Sequence, residues 1–156
     1  MFKKILYPTD FSGVAKRALE YVKKLKEAGA RTVVVLHVID ERMVWAAAGD
    51  AKREIMDVPK LKTIMEELAK NDMKPIESEL KEQGFNVKVR IEEGIPLREI
   101  LRVQEEENVS AVVIGSHGKS MVEEMLLGSV SEKVIRKSKR PVLVVRRSGS
   151  SGKALD

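Results

Sequence analysis

Apolar residues along this chain follow two alternating rhythms. Short, nearly unbroken runs occur at Ile5-Leu6-Tyr7, Thr32 to Ile39, Ala111 to Ile114 and Val142 to Val145. Runs of this length predict strands; Thr32 to Ile39, nearly unbroken and β-branched, fits a strand buried on both faces of a parallel sheet, and Ala111 to Ile114 reads as another buried strand. Val87, Val89 and Ile91 instead alternate with polar residues, which predicts a half-exposed strand at a sheet edge.

Between these runs the spacing becomes helical. Val14, Ala18, Leu19, Val22 and Leu25 share one face of a helix running to about Ala28, with Asp10 and Ser12 as candidate caps and Gly29 closing it. Val58 to Gln83 is helical by composition, and Pro75 within it predicts a kink or a break. Pro96 opens a helix that turns Leu97, Ile100 and Leu101 inward. A last helix from Ser129 to about Lys137 is expected to bury Val130, Val134 and Ile135. Asp40 to Asp57 has no clear period, and Trp45-Ala46-Ala47-Ala48 fits a helical turn as well as a loop. Strands alternating with helices predict one doubly wound α/β domain over residues 1–147. The Ser/Gly-rich stretch 148–156 is expected to be disordered.

Composition narrows the chemistry. The chain of 156 residues has no cysteine, which excludes disulfides, thiol catalysis and Cys-type zinc sites. Its two histidines, His37 and His117, exclude a His-rich metal site. The formal net charge of +5 raises the question of a nucleic-acid partner. Lysines and arginines are interleaved with glutamates, as in Lys23-Lys24-Leu25-Lys26-Glu27, and read as solvated helix faces. Aromatic residues are only 4% of the chain, so a base-stacking platform is missing and nucleic-acid binding is not expected. No apolar run approaches the roughly 20 residues of a membrane helix. The N-terminal residues lack a signal-peptide pattern, and a cytoplasmic location is expected.

Small and polar residues gather at two strand exits: Pro8-Thr9-Asp10, and Gly115-Ser116-His117-Gly118. In open α/β sheets ligands bind beyond the carboxyl ends of the strands, where the winding reverses. Gly128-Ser129, with Val130 and Ser131 behind it, opens the last helix. A helix start presents unpaired N–H groups and the positive end of the dipole, which suits phosphate. Two glycines near a loop can also mean no more than a tight turn. Neither the G-x-x-x-x-G-K-S/T phosphate loop nor the G-x-G-x-x-G dinucleotide fingerprint is present.

The spacing G-x2-G-x9-G-S/T, met by Gly115, Gly118, Gly128 and Ser129, resembles the motif of universal stress proteins of the ATP-binding kind. The opening Lys4 to Ser12, the segment Leu36-His37-Val38 and the ending Lys139 to Val145 are similar to that family in order and spacing. The resemblance covers Met1 to about Arg147 and departs mainly over Asp40 to Lys74. The fold it accompanies is a five-stranded parallel sheet in the order 3-2-1-4-5 with helices on both faces, Rossmann-like (adenine nucleotide alpha hydrolase-like).

The resemblance implies roles residue by residue. Pro8, Thr9 and Asp10 would line the site, with Asp10 holding the ribose hydroxyls, and main-chain atoms of Val38 would read the adenine edge. Gly115 and Gly118 would let the loop pass under the ribose and phosphates, with Ser116 and His117 between them. Gly128, Ser129, Val130 and Ser131 would bind the phosphates through N–H groups and hydroxyls. ATP would come with Mg or Mn. A homodimer would form antiparallel through Val142 to Val145, an apolar edge strand in that order, and a downstream protein would read the nucleotide state.

Magnitudes agree with this. Micromolar affinity needs about 8 kcal/mol. A helix dipole contributes about 0.3–1 kcal/mol at an exposed site, whereas hydrogen bonds to a charged group contribute about 1.5–3 kcal/mol each. Several backbone donors plus adenine burial are therefore required, and Lys119 could add charge. Asp10 could instead merely cap the first helix, and His117 could serve through its backbone alone. His37 reads as a hydrogen-bonded core histidine, and Tyr7 and Trp45 as packing residues. Fast hydrolysis needs an oriented water and charge stabilisation. Asp10 and His117 are the nearby candidates and neither has an evident orienting partner in the sequence. A nucleotide-dependent switch is therefore expected, with a slow ATPase needing a partner as the alternative.

Overall fold

The computed structural model describes residues 1–50, 57–118 and 127–147, with side chains left aside at 48–50. Along the chain run β1 (Lys4–Pro8), α1 (Gly13–Lys24), β2 (Thr32–Asp40), α2 (Glu41–Asp50), α3 (Val58–Glu82), β3 (Asn86–Gly94), α4 (Pro96–Glu106), β4 (Ala111–Gly115), α5 (Ser129–Lys137) and β5 (Val142–Val145). The strands form one parallel sheet in the order β3-β2-β1-β4-β5, as expected. The half-polar β3 is an edge, and the unbroken apolar runs of β1, β2 and β4 lie inside.

Strand side chains alternate between two faces, so each central strand feeds two cores. Ile5, Tyr7, Val33, Val35 and Val113 pack with Leu19 and Val22 of α1 and Met73 and Leu80 of α3. Leu6, Val34, Leu36 and Val112 pack on the opposite side with Ile100 and Val103 of α4 and Val134 of α5. Each such large side chain contributes about 1.5–3 kcal/mol on burial.

Four details differ from the sequence reading. α1 gives up its α-helical pattern after Lys24; the next residues make tighter bonds, such as Ala28 N–H to Leu25 O at 3.0 Å, before Gly29 turns at φ +98°. The illegible stretch after β2 is helical over Glu41–Asp50, with Val44 fully buried. Pro75 does not break α3: Ala69, Met73, Ile76 and Leu80 stay buried on both sides of it. A mid-helix proline costs about 3 kcal/mol, less than those side chains gain together. Finally, α5 buries Ser131 and Val134, while Ile135 is 43% exposed. The disorder expected of 148–156 falls outside the described residues.

The amino ends of the strands are held by ions. Glu107, buried just after α4, meets Lys88 at 2.6 Å, Lys4 at 2.9 Å and Arg90 at 3.2 Å. Its carboxyl is lowered to about 2, first by the Lys88 hydrogen bond and then by Lys4, against the opposing effect of burial.

Candidate functional site

The winding reverses between β1 and β4. β1 pairs with β2 along its whole length, from Lys4–Thr32 to Pro8–Leu36. Its register with β4 holds only Ile5–Ala111 and Leu6–Val112. Beyond Leu6 the two strands no longer share a ladder. Their exits, Pro8-Thr9-Asp10 and Gly115-Ser116-His117-Gly118, lie at the carboxyl end of the sheet where the winding reverses, the place at which open α/β sheets form a crevice.

The β1 wall is held at every residue. Thr9, buried, donates its N–H to Leu36 O at 2.8 Å, and its carbonyl lies 2.8 Å from His37 Nδ1. A carbonyl only accepts, so the imidazole proton sits on Nδ1. Phe11 N–H donates to Thr9 Oγ1 at 3.1 Å, and Ser12 N–H to Asp10 Oδ1 at 3.0 Å. Ser12 Oγ caps α1 by accepting from Ala15 N–H at 3.2 Å. The cap is therefore Ser12, and Asp10 closes the turn ahead of it. Beneath, the Tyr7 hydroxyl donates to Ala15 O at 2.6 Å; burial pushes its pKa up to about 12.

Across the crevice the three motif glycines face three different neighbours. A Cβ on Gly118 would lie 2.8 Å from Asp10 Oδ2, so the glycine loop and the Asp10 carboxylate are in direct apposition. A Cβ on Gly128 would lie 3.2 Å from Ser116 O and 3.3 Å from His117 Cα. Gly128 N–H also donates to that Ser116 carbonyl at 2.7 Å, seating the start of α5 on the β4 exit. A Cβ on Gly115 would meet Val14 Cγ1 at 2.9 Å and Ala15 N at 3.2 Å. Gly115 thus admits the close approach of α1.

Ser116 is fully buried; its N–H donates to Val145 O at 2.8 Å and its Oγ lies 2.8 Å from His117 Nδ1. His117 therefore has the orienting partner that sequence could not supply. Ser131, also buried, donates its hydroxyl to Gly115 O at 2.7 Å. That hydroxyl proton is committed inside the protein. Gly128 stands before α5 in extended backbone (φ −70°, ψ 157°) and offers no side-chain cap. The first amides of a helix, here those of Ser129, Val130 and Ser131, have no partner within the helix.

Asp10, Ser116, His117, Gly118 and Gly128 are thus brought together. Val38 sits one strand away on β2, half-buried against the α4 side of the sheet. Trp45, expected to pack, is 62% exposed on α2. Lys119 lies outside the described residues. Phe11 was missed: it takes φ +64° and lays its ring on His37, centroids 4.6 Å apart and tilted by 30°. Nothing in the local sequence marks an aromatic residue for left-handed backbone.

Residues 1–146 match the Universal stress protein family. Universal stress protein MJ0577 of Methanocaldococcus jannaschii is 47% identical over 159 residues, covering 96% of this chain and 98% of that protein. The solved structure of MJ0577 matches with a TM-score of 0.85 at 48% identity, over 96% of this chain and 99% of the other. Universal stress protein YxiE of Bacillus subtilis is 34% identical over 94% of this chain and 100% of its own length. The Archaeoglobus fulgidus universal stress protein solved in complex with dAMP shares the fold, with a TM-score of 0.61 and 21% identity over 93% of this chain and 98% of its own.

Proposed function

This chain belongs to the universal stress protein family, and from that premise we propose that it binds ATP, with Mg or Mn, at the crevice between β1 and β4 and acts as a nucleotide-dependent switch in the stress response. The observation that carries this reading is the apposition of Gly118 to Asp10 beside a helix start with no side-chain cap. One wall offers a carboxylate that can accept from ribose hydroxyls. The other offers amides that can donate to phosphate oxygens. Asp10 is assigned to the ribose, main-chain atoms of Val38 to the adenine edge, and the amides of Gly128, Ser129, Val130 and Ser131 to the phosphates. Pro8, Thr9, Ser116, His117 and Gly118 line the remainder.

The donors suit a polyanion because they are backbone dipoles that need no reorganisation. Among the described residues no three His, Asp or Glu side chains converge as a metal site. Bound ATP would supply charge and bulk beside Gly118 and Gly128, changing a surface that a partner protein reads. β5 closes one edge of the sheet with Leu143 40% exposed, and a second copy is proposed to pair there antiparallel.

Mass spectrometry of the molecule released on denaturation, with calorimetric titration of ATP, tests the reading. The expected result is an adenine nucleotide, and an affinity reduced at least about tenfold in Asp10→Ala, the loss of one charged hydrogen bond. Wild-type chain that takes up no adenine nucleotide, or an Asp10→Ala variant of unchanged affinity, overturns it.

A further inference from the structure

We propose that His37 and Phe11 form a clamp that aims the Asp10 carboxylate, making His37 the positioning residue by which the site tells ribose from deoxyribose. The proposal rests on the nucleotide reading above and deepens it.

The span from Thr9 to Phe11 carries Asp10 between the end of β1 and the cap of α1. Two bonds from β2 hold it. One is the regular ladder bond from Thr9 N–H to Leu36 O at 2.8 Å. The other comes from a side chain, His37 Nδ1 to Thr9 O at 2.8 Å. Thr9 is only 5% exposed, so water has little access to replace that donor. Phe11 follows at φ +64°, a conformation rare for a bulky residue and kept only where the surroundings over-determine it. Its N–H donates to Thr9 Oγ1 at 3.1 Å and its ring lies on the His37 imidazole with centroids 4.6 Å apart, and both contacts help to hold it there. That backbone turn brings Ser12 N–H to Asp10 Oδ1 at 3.0 Å, while Oδ2 points toward Gly118.

One imidazole thus grips the residue on either side of Asp10, by a hydrogen bond before it and a ring contact after it. Asp10 itself keeps both carboxylate oxygens in set directions. A carboxylate accepts from sugar hydroxyls only when its lone pairs are aimed at them. Loosening the clamp therefore removes the contribution of the hydroxyls and leaves the phosphate and adenine contacts intact.

The test is calorimetric titration of the full chain with ATP and with 2′-deoxy-ATP, read as the ratio of the two affinities. Wild type is expected to favour ATP by about tenfold, one charged hydrogen bond. His37→Leu keeps bulk but loses the donor; it is expected to weaken ATP about tenfold, to weaken 2′-deoxy-ATP, which keeps only the 3′-hydroxyl, by clearly less, and so to lower the ratio. His37→Asn, whose amide can take the place of Nδ1–H, is expected to restore the preference. Should His37→Leu fail to fold, Phe11→Gly carries the test: glycine accepts the positive φ, removes the ring contact and is expected to lose the preference. A variant that keeps the wild-type ratio, or weakens both nucleotides equally, overturns the clamp. Wild type that binds ATP without preference overturns the ribose role of Asp10 and the clamp with it. Wild type that binds neither nucleotide overturns the nucleotide reading itself.

Discussion

Replacing Gly115 by alanine adds one methyl where α1 passes over the end of β4. The new carbon would sit 2.9 Å from Val14 Cγ1 and 3.2 Å from both Ala15 N and Val14 C. Two of those three atoms are backbone of a helix anchored by the Ser12 cap and the Tyr7–Ala15 bond, so the neighbour cannot simply swing away. Overpacking of this kind costs about 1–3 kcal/mol. Gly115 is not among the glycines of positive φ, so alanine also recovers about 0.4–1 kcal/mol by restricting the unfolded chain. The two ranges leave a net loss of about 0–2.6 kcal/mol, centred on about 1.3 kcal/mol. At about 2–4 °C per kcal/mol for a chain of this size, the melting temperature should fall by roughly 3–5 °C at that centre. Gly13→Ala is the matched control: a Cβ there meets nothing within 4 Å, and it lies at the first position of α1. It should be neutral or raise stability by about 0.5 kcal/mol. Thermal unfolding followed by circular dichroism on both variants decides the matter. A Gly115→Ala protein that melts at or above wild type would refute close helix–strand approach as the reason for this glycine.

Other consequences are open to measurement. Glu107 holds its proton less tightly folded, at about 2, than at its ordinary value of 4.5, so its stabilisation is complete above about pH 4.5 and is lost as the pH falls toward 2. In urea unfolding, Glu107→Gln should be weaker than wild type by on the order of 1 kcal/mol at neutral pH after allowance for solvent screening, and the gap should close in that acid window; a gap independent of pH would contradict this. Tyr7→Phe should lose about 1 kcal/mol with the bond to Ala15 O, by the same unfolding assay. Val144→Pro should give monomer in light scattering if copies pair through β5, and an unchanged dimer would refute that edge.

Much of the architecture was legible in advance because the two periods do not overlap. The central strands are buried on both faces, so Thr32 to Ile39 and Ala111 to Ile114 had to be apolar without interruption. The edge strand β3 had to alternate. α2 was obscure because Met43 and Trp45 are exposed apolar residues flanking the buried Val44, which blurs any amphipathic pattern. Pro75 misled because local propensity counts the missing N–H, whereas the helix is held by Met73, Ile76 and Leu80 on the far face.

For the site, residue type and spacing, with the family motif they resemble, supplied the candidates: a carboxylate after the first strand, glycines after the fourth, and a glycine-started helix. Those are local properties of the chain, carried by residue type and separation. Only the fold decided what each does, because contacts across the switch point join segments about a hundred residues apart. It packed Gly115 against Val14 and Ala15 of α1 and set Gly118 against the Asp10 carboxylate. It also placed an imidazole from the second strand under an aromatic ring at the exit of the first. No spacing rule encodes such meetings, since they depend on how the strands are ordered in space rather than along the chain.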